Sequence, residues 1–111
     1  MHAVDIEQRG RARVLLGSGE LDAYAAPDLR EAFEALRGAP SAVADLTRVS
    51  FMDSTALGVI VRGVRALDEA GTRVQVVLPA GSARRIFEIT TLDRVLPVAA
   101  THEAALSALD D

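Results

Sequence analysis

The chain alternates between short apolar runs and longer segments in which apolar residues recur every three or four positions. Short apolar runs bounded by glycine, proline or polar residues are typical of strands, and the longer spacing is typical of amphipathic helices. The runs predict five strands, at residues 4–7, 11–16, 42–46, 73–78 and 95–98. The spacing predicts four helices, which begin at or directly after Pro27, Leu57, Ser82 and Thr101.

The order of these elements is β-β-α-β-α-β-α-β-α, which is typical of an α/β fold. We expect one domain, residues 3–111, in which a mixed, mainly parallel sheet of about five strands packs with about four helices. Gly10 suits a hairpin turn between the first two strands, and Gly17-Ser18-Gly19 is expected to end the second strand. In a parallel sheet, the loops that leave the carboxyl ends of the strands form the functional edge.

The second predicted helix carries a regular apolar stripe. The residues of this stripe are Leu57, Ile60, Val61, Val64 and Leu67. Arg62 falls on the solvent side, and Gly71 suits the position just past the end of the helix. Val59 lies off the stripe, one turn beyond Thr55. A single apolar residue there is usually unremarkable, but beside a docking site it would be contact surface.

The segment 51–58, Phe-Met-Asp-Ser-Thr-Ala-Leu-Gly, joins the third strand to this helix. At such a junction the first backbone N–H groups of the helix have no partner within the helix. They favour negative charge, whether from a side-chain carboxylate or from an attached phosphate. Asp53, Ser54 and Thr55 can each serve as a helix N-cap. The residues alone leave open whether this segment is only a cap or also a phosphorylation site at Ser54.

Motifs for catalysis and for ligand binding do not fit the chain. A serine nucleophile needs the frame G-x-S-x-G and a general base. Both glycines are missing around Ser54, and the two histidines, His2 and His102, lie beside the termini. All 12 basic residues are arginine, which excludes a Walker-type nucleotide site. No spacing of histidines and carboxylates suits a metal. We predict no catalytic residue, no cofactor and no metal.

The charge and the N-terminal segment limit the partners and the location. A formal charge of -4 argues against nucleic acid and against an anionic membrane, because both require clustered basic residues. The chain has no cysteine, and no apolar run approaches the roughly 20 residues that span a bilayer. Its first residues carry two acids and lack the apolar segment of a signal peptide. We therefore expect a cytoplasmic protein.

Three segments match motifs of one known family. Residues 51–58 resemble the signature of the STAS domain family, and in particular of its bacterial anti-sigma factor antagonists. Gly19-Glu20-Leu21-Asp22 resembles a second family marker, and Asp45-Leu46-Thr47 resembles the strand and turn before the signature. Two positions depart from the pattern, since Ala56 replaces the usual glycine and Thr91-Leu92 stands where Gly-Leu is common.

The resemblance implies a STAS-like domain that works by partner switching. Such a protein, while unphosphorylated, binds an anti-sigma factor and releases the sigma factor that it holds. The anti-sigma factor is also a serine kinase that uses ATP and phosphorylates the residue matching Ser54, and a PP2C-type phosphatase reverses this step. No small-molecule substrate is implied. The residues expected to contact partners are Asp22, Asp53, Ser54, Thr55, Val59 and Arg62. The alternative is a STAS adaptor without a switch, in a lipid-transport or signalling scaffold.

Overall fold

The computed structural model describes residues 1–78, 81, 85, 96–99 and 101–109. Its strands are β1 (His2–Arg9), β2 (Ala12–Leu21), β3 (Ser41–Met52), β4 (Arg73–Val77) and β5 (Val98–Ala99). Its helices are α1 (Ala26–Ala35), α2 (Ser54–Glu69) and α3 (His102–Leu109). The helix predicted to follow Ser82 lies outside the described residues, which therefore contain three of the four predicted helices. Among these three, none is long and apolar enough to cross a bilayer.

The five strands form one sheet in the order β1-β2-β3-β4-β5. The β1–β2 pair is antiparallel and turns at Gly10, whose φ is +60°, so the predicted hairpin is confirmed. The pairs β2–β3, β3–β4 and β4–β5 are parallel. The prediction of a mixed, mainly parallel sheet of five strands is therefore confirmed.

Strands β2 and β3 are both longer than predicted. The prediction that Gly17-Ser18-Gly19 ends β2 is wrong, because the strand continues to Leu21. The pairing of β2 with β3 shifts register twice within this stretch, which is how a sheet accommodates glycine-rich irregularities. Gly19 has a φ of +76°, and the backbone oxygen of Met1 occupies the space that a side chain would need. Because of this extra length, β3 ends at Met52, two residues before Ser54.

Helices α1 and α2 cover one face of the sheet and share its main core. Among the described residues, the largest fully buried side chains are Leu15, Leu21, Leu29, Leu36, Leu46, Ile60, Leu67, Leu78, Val14, Val43 and Val76. On the other face, α3 packs Ala105 against Val14, Val43 and Val77. Each large apolar side chain contributes roughly 1.5–3 kcal/mol on full burial. The core on the first face fixes the position of α2 relative to the strand edge.

The position of Val59 differs from the prediction. Its side chain is only 3% exposed, so the expectation that it lies off the core stripe is wrong. The cause is a second helix contact, because α2 packs against α1 as well as against the sheet. The ring of Phe33 in α1 lies directly over Gly63, one turn beyond Val59. Val59 therefore belongs to the core and we exclude it from the candidate contact residues.

Candidate functional site

Helix α2 begins at Ser54, three residues earlier than predicted. Asp53 is its N-cap, with an extended backbone (φ -97°, ψ 178°) and with Oδ1 accepting a hydrogen bond from the backbone N–H of Ala56 at 2.9 Å. The backbone oxygen of Asp53 also accepts from the N–H of Leu57 at 3.0 Å. Ala56 is buried in the first helical turn, so the alanine that replaces the family's glycine has the helical backbone it needs.

This cap leaves the hydroxyl groups of Ser54 and Thr55 on the surface. Both side chains are exposed, and they occupy the first two positions of α2. Since Asp53 supplies the cap, neither hydroxyl is needed to satisfy the helix end. In the described part of the chain, no hydrogen bond or ion pair engages the Ser54 side chain. An enzyme that approaches this edge can reach Ser54 Oγ without unfolding the helix.

Asp22 lies beside this segment at the end of the neighbouring strand. Its Oδ1 accepts hydrogen bonds from the backbone N–H groups of Tyr24 at 3.0 Å and Ala25 at 3.2 Å, which closes the turn that leads into α1. The backbone N–H of Asp53 donates to the backbone oxygen of Leu21 at 3.1 Å. The two segments that resemble family motifs, residues 19–22 and 51–58, are thus joined at the carboxyl ends of adjacent parallel strands.

Two exposed aromatic residues at the same edge were missed by the sequence analysis. Tyr24 is 88% exposed and follows Asp22 in its turn. Phe51 is 51% exposed, and it pairs with Glu20 near the end of the β2–β3 ladder. Large exposed aromatic side chains are enriched at protein interfaces. Phe51 lies in the signature segment, but the apolar pattern predicts no strand there, so the sequence does not indicate that its side chain is exposed.

We call these residues the Ser54 edge: Asp22, Tyr24, Phe51, Asp53, Ser54 and Thr55. Arg62 lies two turns further along α2 and is exposed. Its guanidinium packs over Gly58, because a Cβ built on Gly58 would be 3.3 Å from Nη1 and 3.4 Å from Nη2. Of the six predicted contact residues, Asp22, Asp53, Ser54 and Thr55 therefore lie at the start of α2. Arg62 lies on the exposed side of the same helix, and Val59 is the exception because it is buried.

A partly buried hydrogen bond on the opposite face of the sheet links α3 to β3. Asp45 Oδ2 lies 2.7 Å from Nδ1 of His102, the first residue of α3. Thr47 donates to Asp45 Oδ1 from its hydroxyl at 2.7 Å and from its backbone N–H at 3.0 Å. Burial raises the pKa of Asp45, but the hydrogen bonds from Thr47 and His102 outweigh burial and hold the pKa below its usual value.

The Asp45–His102 pair has the first two members of a Ser-His-Asp triad, but not the third. Within the part of the chain that the structure describes, Nε2 of His102 is buried and has no hydrogen-bond partner, so no nucleophile is in place. The pair instead fixes the start of α3 against the sheet. Sequence analysis missed it because the two residues are 57 positions apart. The described residues also contain no group of three or more side chains suited to bind a metal ion.

Comparison with known proteins agrees with this geometry. Residues 3–105 match the family described as STAS domain. The chain belongs to the STAS domain family. A curated STAS relative, the anti-sigma-B factor antagonist of Listeria monocytogenes, is 33% identical over 99 residues, which cover 86% of this chain and 87% of the relative.

Solved structures give the same result for the whole fold. An anti-sigma factor antagonist from Mycobacterium paratuberculosis superposes with a TM-score of 0.92 at 29% identity, covering 100% of this chain and 96% of that one. The Bacillus cell fate determinant SpoIIAA in its phosphorylated form superposes with a TM-score of 0.74 at 27% identity, covering 96% of this chain and 99% of that one. The resemblance to the STAS family and to its anti-sigma factor antagonists is therefore confirmed.

Proposed function

We propose that this STAS protein is an anti-sigma factor antagonist controlled by phosphorylation of Ser54. The unphosphorylated form binds an anti-sigma factor in the cytoplasm, and the bound sigma factor is released. The main support for the proposal is that the Ser54 hydroxyl is exposed at the first position of α2. This hydroxyl is not needed as a cap, because Asp53 is the N-cap of the helix. Relatives with this domain are named as anti-sigma factor antagonists, and one of them has been solved in a phosphorylated form.

In the phosphorylation step this protein is the substrate. Ser54 Oγ attacks the γ-phosphorus of ATP held by the anti-sigma factor, which is a serine kinase. A new Oγ–P bond forms, the bond from the γ-phosphorus to the bridging oxygen breaks, and ADP leaves. The hydroxyl proton passes to a base of the kinase. Water, activated by a PP2C-type phosphatase, later cleaves the Oγ–P bond and regenerates the hydroxyl. The STAS chain needs no catalytic group for either step.

The fold can accept this modification without unfolding. Phosphoserine adds about -1.5 to -2 charge and three strong hydrogen-bond acceptors. Negative charge at the start of a helix is stabilised by the unpaired N–H groups and by the helix dipole. Ser54 is already exposed, so no core side chain has to move. SpoIIAA, which shares this fold, has been solved in both its unphosphorylated and its phosphorylated forms.

The same charge is unfavourable in an interface. Tyr24 and Phe51 offer apolar area to a partner at the edge that carries Ser54, and we propose that the partner covers Ser54 as well. A phosphate there must be desolvated, and it adds to the negative charge of Asp22 and Asp53. Loss of only about 2.7 kcal/mol of binding free energy weakens a complex a hundredfold. One phosphate is therefore sufficient to release the partner.

Binding of variants to the cognate anti-sigma factor tests the proposal. We expect Ser54→Ala to bind as tightly as the wild type in isothermal titration calorimetry, and Ser54→Glu to bind at least tenfold more weakly. Thr55→Ala and Thr55→Glu are the matched controls one position further into α2, and intact mass after incubation with the kinase and ATP reports the phosphate. Equal binding by both Ser54 variants, or no phosphate on Ser54, would leave the non-switching STAS adaptor as the better assignment.

A further inference from the structure

The guanidinium of Arg62 packs over Gly58, one helical turn from Ser54. Arg62 folds back along α2 toward the start of the helix, and its two terminal nitrogens lie over Gly58. This position is open because residue 58 has no side chain. A Cβ at Gly58 would come within 3.3 Å of Nη1, which is closer than an ordinary van der Waals contact. Gly58 therefore provides the place where the Arg62 side chain rests.

Gly58 is also the residue one turn beyond Ser54. Side chains four positions apart on a helix have Cβ atoms about 5–6 Å apart. Long helical side chains lean toward the N-terminus of their helix, and Arg62 accordingly reaches back as far as Gly58, one turn short of Ser54. A phosphate on Ser54 Oγ extends the serine side chain outward by two bonds. Contact with its oxygens requires Arg62 to extend beyond Gly58 toward the start of the helix, which an exposed and flexible side chain is free to do.

The surrounding charges leave Arg62 available for this contact. Among the described residues, no ion pair or hydrogen bond engages its guanidinium. Arg62 lines a groove between α1 and α2, together with Arg30 and Glu34 of α1. Glu34 Oε1 already lies 3.3 Å from Nη1 of Arg37.

The two acids of the Ser54 edge already have structural roles. Asp22 Oδ1 and Asp53 Oδ1 both accept backbone N–H groups and hold their own turns. A phosphate on Ser54 would be the strongest anion within reach of Arg62, because Arg–phosphate hydrogen bonds are charge-assisted and can be bidentate.

We propose that Arg62 binds the phosphate of phosphorylated Ser54 within the same helix. The inference rests on the proposed function only in that Ser54 carries the phosphate. Its consequence is a switch with two parts. Phosphorylation adds negative charge to the Ser54 edge, and at the same time it withdraws the Arg62 side chain from any partner that used it in the unphosphorylated form.

A titration of the phosphate by 31P NMR tests this contact. Phosphoserine is introduced at position 54 during synthesis by genetic encoding, in the wild type and in Arg62→Gln and Arg65→Gln. Arg65 is an exposed arginine of α2 one turn further from Ser54, so Arg65→Gln is the matched control for charge. We expect Arg62→Gln to raise the second pKa of the phosphate, normally about 6, by about 0.2–0.7 unit, as loss of an exposed ion pair does. Arg65→Gln should leave it within about 0.1 unit of the wild type.

A further variant, Gly58→Ala, distinguishes a direct contact between Arg62 and the phosphate from a general effect of charge. Gly58→Ala keeps every charge but fills the space under the guanidinium, so it should raise the phosphate pKa in the same direction as Arg62→Gln. Far-UV circular dichroism confirms that each variant is folded. Equal shifts from Arg62→Gln and Arg65→Gln, or no shift from Arg62→Gln, would overturn the proposal. The phosphate is present without any kinase, so failure here is distinct from failure of the partner switch, which the Ser54→Glu binding experiment reports.

Discussion

Helix α2 contains two glycines whose replacement by alanine is expected to change stability in opposite directions. Gly58 and Gly63 both lie inside the helix, where glycine is less favourable than alanine by about 0.5–1 kcal/mol. At Gly58 the added Cβ meets only the guanidinium of Arg62, which is the end of a flexible side chain and can move. We therefore expect Gly58→Ala to raise the free energy of unfolding by about 0.5–1 kcal/mol.

Gly63 is different because α1 packs directly on it. An added Cβ would lie 2.5 Å from Cγ and 2.6 Å from Cδ1 of Phe33. Phe33 is buried, so its ring cannot turn away without disturbing the contact between the two helices. Overpacking of this kind costs about 1–3 kcal/mol. Combined with the gain in helix propensity, Gly63→Ala should lower the free energy of unfolding by about 0–2.5 kcal/mol.

Urea unfolding followed by far-UV circular dichroism measures both effects, since the chain has no tryptophan for fluorescence. A shift of the midpoint at constant m-value reports a change in stability. The difference between the two variants should be about 1–3 kcal/mol, because the propensity gain is common to both. Phe33→Leu tests the cause, and in that background Gly63→Ala should become neutral or stabilising. The close packing of α1 on α2 is refuted if Gly63→Ala stabilises the wild type as much as Gly58→Ala does.

Two further predictions concern the N-cap of α2 and the Asp45–His102 pair. Asp53→Ala should lower the free energy of unfolding by about 0.5–2 kcal/mol through loss of the N-cap, whereas Thr55→Ala should change it by less than about 0.5 kcal/mol in the same urea experiment. The pKa of Asp45 is lower in the folded chain than its ordinary value of 3.8, so its stabilising contribution is present above that value and is lost as the pH falls through the folded pKa. The urea midpoints of the wild type and Asp45→Asn should therefore converge as the pH is lowered from about 6 to about 3, and a constant difference would contradict this.

The sequence predicted the strands and helices better than it predicted the contacts between them. Hydrophobic spacing located α2 and the strands because each depends on local periodicity. The predicted end of β2 at Gly17-Ser18-Gly19 was wrong, because glycines are common both in turns and in bulged strands and the sequence does not distinguish the two. The prediction for Val59 was wrong because the apolar stripe describes the contact of α2 with the sheet and omits its second contact, with α1. The Asp45–His102 pair depends on chain segments that only the fold brings together.

The strand order has a consequence for the kind of partner that the Ser54 edge can bind. Doubly wound sheets hold small ligands at a topological switch point, where the strand order reverses and helices diverge to opposite faces. Here the parallel strands follow one another without reversal, and α1 and α2 lie on the same face. The turns at Asp22 and Asp53 are joined by a backbone hydrogen bond and are not separated by such a crevice. The described part of this edge is therefore a continuous surface, which is the form that the proposed protein partner requires.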